Sequence, residues 1–222
     1  MKKLYITLLV GMASLIPIWI ICRLIGIINF FSISTAANYP ALYAEDIIFT
    51  SNLVVPKRFD FITYECTAKN YMGETWIHRV CGVAGDTIQI RNGILFVNGV
   101  YLDSTLELAY MYKIPSSELS KLKMEEDRII NVSLDTSFVI LSDKEIGKFK
   151  IKANRFLEPL GVANKDIKSI YGFDWNVDNF GPLVIPEDMY FVMGDSRNNS
   201  LDSRFLGPIS TSDYISTVIW KH

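Results

Sequence analysis

The chain has 222 residues, half of them hydrophobic, and a formal net charge of -2. Such a composition belongs to a globular protein rather than a disordered one, and it lacks the basic surplus of a nucleic-acid binder. One or two domains is the expectation at this length.

The apolar excess is concentrated at the N-terminus. LYITLLVGMASLIPIWII runs from Leu4 to Ile21 without a charge, and LIGIINFF follows Arg23. Roughly 20 apolar residues span a bilayer core, so residues 1–31 are expected to form a transmembrane anchor in contact with the lipid bilayer. Lys2 and Lys3 precede this stretch and Arg23 alone follows it closely. That asymmetry puts the N-terminus in the cytoplasm and the chain from about residue 32 outside. The rival is a cleaved signal peptide ending near STAAN, but such an apolar region is usually about 7 to 15 residues, shorter than this one. Either reading exports the same domain.

The exported part reads as strand-rich. DIIFTSNLVV (46–55), FDFITYECT (59–67), TWIHRVCGV (75–83), DTIQIRNGILFVNGVYL (86–102) and MYFVMG (189–194) are short, rich in β-branched and aromatic residues, and bounded by turn residues. The steps Asn92-Gly93 and Asn98-Gly99 are type I′ hairpin signals, because both central residues of that turn need positive φ. Between these strands lies a stretch of different composition, from about Ser104 to Asn179. There SSELSKLKMEEDRI (116–129) predicts a helix capped by Ser116 or Ser117 with its charges on a solvated face, and GVANKDIKSI (161–170) predicts a second. Cys22 lies in the expected anchor. Cys66 and Cys81 read as two small buried thiols, with a disulfide left to geometry.

Chemistry is constrained by the two histidines, His78 and the C-terminal His222. A serine nucleophile with an imidazole base would have to use His78. The loop GDSRNNSLDSRFLGP (194–208) invites a calcium reading from its Asp and Asn spacing. Counted from Asp195, however, the third position is Arg197, the sixth Ser200 rather than Gly, and the twelfth Leu206 rather than Glu. No CxxC or Cys/His cluster suggests a metal site, and no cofactor is indicated. The two Asp and two Arg of the loop predict an internally paired, rigid scaffold.

This loop resembles the last motif of the type I signal peptidases, GD-N-R-x-N-S-x-D-S-R-x-x-G, with Ser196 in place of the first Asn. The resemblance continues in HRVCGVAGDTIQIRNGILFVNG (78–99), in PKRFDFITY (56–64) and in DNFGPLVIPEDMYFVMGD (178–195). It implies a mainly β fold: an N-terminal transmembrane helix, residues 1–31; an antiparallel β-rich core, 32–103 and 180–222; and an inserted α/β region, 104–179. It also implies a membrane-anchored serine endopeptidase with a Ser/Lys dyad acting on the signal peptides of preproteins.

Carried over residue by residue, the dyad is altered. TAANYPALYAED (35–46) aligns with the family's S-x-S-M-x-P-T-L and following Asp through Pro40, Leu42 and Asp46, which places Ala37 at the nucleophile position. Thr35 matches the serine whose hydroxyl assists the oxyanion hole. His78 stands where bacterial members have the lysine base, as in eukaryotic and archaeal relatives with a Ser/His pairing. Ser200 matches the serine that orients the base, and Asp202 and Arg204 match the pair supporting it. A methyl group cannot attack a carbonyl. Thr35, on an extended segment, would lie about 7 Å from position 37.

Three readings follow. The first is a signal peptidase homologue that binds signal peptides without cutting them, as partner of an active paralogue. The second is an active leader peptidase using Thr35 or Ser34 with His78. The third is an interaction protein of the membrane surface with a vestigial groove.

Overall fold

The computed structural model describes residues 15–122, 124 and 126–222. Residues 15–24 are helical (α1). Among the described residues no helix is long and apolar enough to cross a membrane. Residues 1–14 of the expected anchor lie outside the described residues.

Three antiparallel sheets follow. The largest has seven strands in the order β1 (Asn29–Ser32), β2 (Ile47–Ser51), β15 (Tyr214–Lys221), β3 (Phe61–Glu65), β4 (Thr75–Gly82), β13 (Met189–Met193) and β14 (Ile209–Ser210). The second is a hairpin array in the order β12 (Phe180–Val184), β5 (Thr87–Arg91), β6 (Ile94–Val97) and β7 (Val100–Tyr101). Its turns are set by Asn92 and Gly93 at φ 49° and 72° and by Asn98 and Gly99 at φ 53° and 79°. Positive φ at both central residues is what these Asn-Gly steps predict. The third lies within residues 109–155, in the order β11 (Asn154–Arg155), β8 (Ala109–Pro115), β10 (Thr136–Ser142) and β9 (Ile129–Val132). The mainly β, antiparallel expectation therefore holds for the described residues.

Apolar alternation explains how the sheets pack. Ile88, Ile90, Leu95 and Val97 point inward from the hairpin array and bury against Cys81, Phe180 and Phe191. Ile62, Tyr64, Val80 and Val192 form the core on the other face of β3, β4 and β13. Both clusters hold β4 and β13 rigidly, and those strands carry the site. Cys66 and Cys81 are buried free thiols.

Two expectations about helices fare differently. Lys165–Tyr171 is an α-helix (α3), capped by Asn164, whose side chain accepts from the Asp166 and Ile167 N–H groups. The helix expected over 116–129 is instead a 3₁₀ turn at Ser116–Lys121, then a second at Glu126–Arg128 that leads into β9. Pro115 occupies the cap position and has no acceptor, while the Ser116 hydroxyl turns to the Ser133 carbonyl (2.7 Å) and Ser137 Oγ (2.9 Å). Nor do all the charges face water. Arg128 is buried and donates to Glu145 and to the Ile140 carbonyl. Glu145 belongs to α2 (Asp143–Phe149), where it forms a capping box with Ser142.

Candidate active site

His78 sits on β4, opposite Ile62 of β3, and the register sets Tyr64 against Trp76. Tyr64 and His78 are thus diagonal neighbours on one buried face. The Tyr64 hydroxyl lies 2.8 Å from His78 Nδ1, and Ser200 Oγ lies 3.2 Å from Nε2. Both ring nitrogens are engaged, and the residue is only 4% exposed. Burial lowers the imidazole to about 4; the Asp202 carboxylate opposes that shift and the Arg204 guanidinium adds to it. At neutral pH the ring is therefore uncharged and able to accept a proton.

Asp202 and Arg204 close the back of the site. Asp202 caps α4 (Ser203–Leu206), accepting from the Arg204 N–H, and its carboxylate takes Arg204 Nε and Nη2 at 2.9 and 2.8 Å. Burial alone would raise the Asp202 carboxyl, but the Arg204 guanidinium bonded to it and the Gly194 N–H hold it below its ordinary value. Asp202 and Arg204, expected as a supporting pair, are bonded to each other.

The rest of the loop is wired differently from the internal pairing expected of it. Asp195 pairs with Arg79 of β4, at 2.7 Å from Nε, and Arg197 makes a two-bonded pair with Asp103, both distances 2.9 Å. Of the two expected Asp/Arg pairs only Asp202 with Arg204 is internal. Asp195 and Arg197 reach outward because β4 and the end of the hairpin array lie against the loop. Ser196, where the motif departs, is fully buried, with its Oγ unpartnered among the described residues.

Ala37 lies in a 3₁₀ turn, Ala36–Asn38, whose cap is Thr35. The Thr35 hydroxyl accepts from the Ala37 N–H at 3.5 Å; Thr35 is extended, as the sequence led us to expect, but the chain curls into the turn from Ala36 onward. Asn38 fixes the turn to β4 by donating Nδ2 to the Ile77 carbonyl at 2.8 Å, and the Ser196 N–H donates to the Ala37 carbonyl at 3.0 Å. A Cβ on Gly194 would overlap both that carbonyl and Ser200 Oγ, so the close approach of the two segments requires glycine there. Ser34 and Thr35 are exposed.

These parts line a groove of about 800 Å³. Its lining includes residues 31–37, Thr75–His78 of β4, and Ser200, Leu201 and Phe205. β4 pairs with β3 from Thr75 to Arg79 but with β13 only from Arg79 onward. Over Thr75–His78 its second edge therefore carries no partner strand among the described residues. Of the expected site residues, Thr35, Ala37, His78 and Ser200 line this groove, with Asp202 and Arg204 behind it. Tyr64, Arg79 and Asp103 were not expected; the first follows from strand register, the others from contacts far apart in sequence. Among the described residues no group of three or more His, Cys, Asp or Glu is placed to hold a metal.

The family described as Signal peptidase, peptidase S26, matches residues 4–222. The chain belongs to this family. It is 26% identical to Signal peptidase I S of Bacillus subtilis (strain 168) over 166 residues, covering 75% of this chain and 60% of that protein. With Signal peptidase I of Buchnera aphidicola the identity is 28%, covering 95% of this chain and 76% of the relative. With that of Aquifex aeolicus it is 28%, covering 80% and 68%. A solved signal peptidase I from Enterococcus faecalis V583 matches 74% of this chain and 97% of its own with 21% identity and a TM-score of 0.37. This member of the peptidase S26 family carries Ala37 and His78 in the lining of one groove.

Proposed function

We propose that this chain binds the extended signal peptides of preproteins along its groove, at the outer face of the cytoplasmic membrane, and does not cut them at position 37. The observation that carries the reading is the edge of β4 at Thr75–His78, which lines the groove together with residues 31–37 and has no partner strand among the described residues, its Ile77 carbonyl being held by Asn38. An extended segment added there gains main-chain hydrogen bonds that owe nothing to a serine hydroxyl, while the apolar walls receive alternate side chains. The methyl group of Ala37 has no lone pair to attack a carbonyl, so binding survives where cleavage does not.

In this reading residues 1–31 are a single-pass anchor with a cytoplasmic N-terminus. Residues 32–103 and 180–222 are the core that bears the groove, and 104–179 are an inserted subdomain. The partners are signal peptides, the lipid bilayer and an active paralogue that performs the cut.

The test uses the full chain in detergent with a preprotein and a fluorescent leader peptide. The unmodified chain binds the peptide and releases no mature protein. Ala37→Ser, which adds one hydroxyl beside a neutral His78, raises leader removal on the order of 100-fold or more; the pair Ala37→Ser/His78→Lys asks whether the lysine base serves as well. Cleavage by the unmodified chain that Thr35→Ala or Ser34→Ala abolishes would establish the substitute-hydroxyl alternative. Failure of the peptide to bind would leave only the interaction protein with a vestigial groove.

A further inference from the structure

The strongest feature beyond the proposed function is a hydroxyl already bonded to the base, on the residue expected only to orient it. Ser200 Oγ lies 3.2 Å from His78 Nε2, lines the groove, and has no other hydrogen-bond partner among the described residues. The opposite ring nitrogen is held by Tyr64 at 2.8 Å. In the tautomer with Nδ1–H donating to the Tyr64 oxygen, Nε2 is left to accept from Ser200. With a methyl group at position 37, no other hydroxyl competes for that nitrogen.

We propose that Ser200 is a nucleophile in its own right, and that with His78 as base and Tyr64 as positioning residue it hydrolyses carboxylic esters with an apolar acyl chain. The acyl chain fits the groove, whose walls include Phe31, Ile33, Trp76 and Ile77. Donors for the developing oxyanion are at hand. The Ala37 N–H is held only by the 3.5 Å contact from Thr35, and the N–H groups of the groove residues Ser200 and Leu201 have no acceptor among the described residues.

The step balances as follows. A lone pair of Ser200 Oγ forms the bond to the ester carbonyl carbon, the carbonyl π pair moves onto its oxygen, and the Oγ proton passes to Nε2. Collapse re-forms the carbonyl, breaks the bond to the alcohol oxygen, and the proton on Nε2 leaves with the alcohol. Water then repeats the sequence on the acyl-serine, releasing the carboxylic acid and restoring Ser200. Esters suit this arrangement better than peptides because an alkoxide or phenoxide leaves far more readily than an amine, whose nitrogen must be protonated first. The activity thus coexists with binding of an uncut signal peptide, and it stands or falls separately.

The experiment mixes the full chain in detergent with para-nitrophenyl butyrate. A burst of nitrophenolate close to one per chain is expected, with one butyryl group found by mass spectrometry on the peptide spanning 194–208. Ser200→Ala removes the burst and the adduct, and His78→Gln slows acylation about 100-fold. Tyr64→Phe slows it less and displaces the pH midpoint, which a merely structural tyrosine would not do. Ser200→Cys, which preserves size and shape, moves the butyryl group to the thiol, where hydroxylamine removes it. The inference is overturned by a stable adduct elsewhere, by the absence of any burst, or by a folded Ser200→Cys chain that is not acylated. Leader-peptide binding, read on the same sample, reports separately on the proposed function.

Discussion

His78 is held neutral by burial between Tyr64, Ser200, Asp202 and Arg204. An unfolded chain takes up this proton near its ordinary pKa of 6.5, whereas the folded chain refuses it until about 4. Between those values the unfolded state binds more protons, so stability falls as the pH falls, by up to roughly 3 kcal/mol at the lower end. Burial of Glu158 and Asp178 pushes their carboxyls up and acts with the opposite sign, while Asp202 is held low and loses its contribution only in stronger acid. Comparing the wild type with His78→Gln cancels these carboxylates. The denaturant midpoint of the variant is expected to fall much less between pH 7 and pH 4.5 than that of the wild type; equal slopes would refute the assignment. At this scale the motif made Ser200, Asp202 and Arg204 legible. Tyr64 was not, because its meeting with His78 depends on the register of β3 against β4, which no local signal states.

At the scale of elements, the loop 194–208 shows how far a local reading goes. Its charges are paired, but Asp195 finds Arg79 at a sequence separation of 116 residues and Arg197 finds Asp103 at a separation of 94. Proximity in the chain suggested the wrong partners because the tertiary fold offered closer ones. Arg197 and Asp103 are both almost fully buried, with side chains 4% and 2% exposed. Removing one partner leaves the other charge without compensation, so Arg197→Met is expected to cost about 3–5 kcal/mol in denaturant unfolding. The double variant Arg197→Met/Asp103→Leu recovers much of that loss, since no buried charge remains. The hairpins, by contrast, were readable residue by residue, because Asn-Gly fixes its own backbone. The stretch 116–129 misled because its helical composition lost to Pro115 and to the packing of Arg128 against Glu145.

For the molecule as a whole, the segment Asp195–Asn198 is where the sheets meet. Arg79 ties it to the seven-stranded sheet, and Asp103 ties it to the end of the hairpin array. From the third sheet, the Ala109 N–H donates to the Asp195 carbonyl, the Arg197 N–H donates back to the Ala109 carbonyl, and the Met111 N–H donates to Asn198 Oδ1. The Ser196 N–H holds the turn that carries Ala37. Four parts of the chain therefore share one short segment, and none can swing away while the others keep their bonds. The consequence appears in isotope exchange. In deuterated buffer the amides of Ser196 and Arg197 should exchange as slowly as that of Val192 in β13, through opening of the entire fold rather than local fraying. Faster exchange at Ser196 and Arg197 than at Val192 would mean that the segment is a clip and not a junction. If the rates coincide, the groove has no independent melting of its own, and a destabilising substitution in any of the three sheets is felt at His78 as a lower population of the whole site.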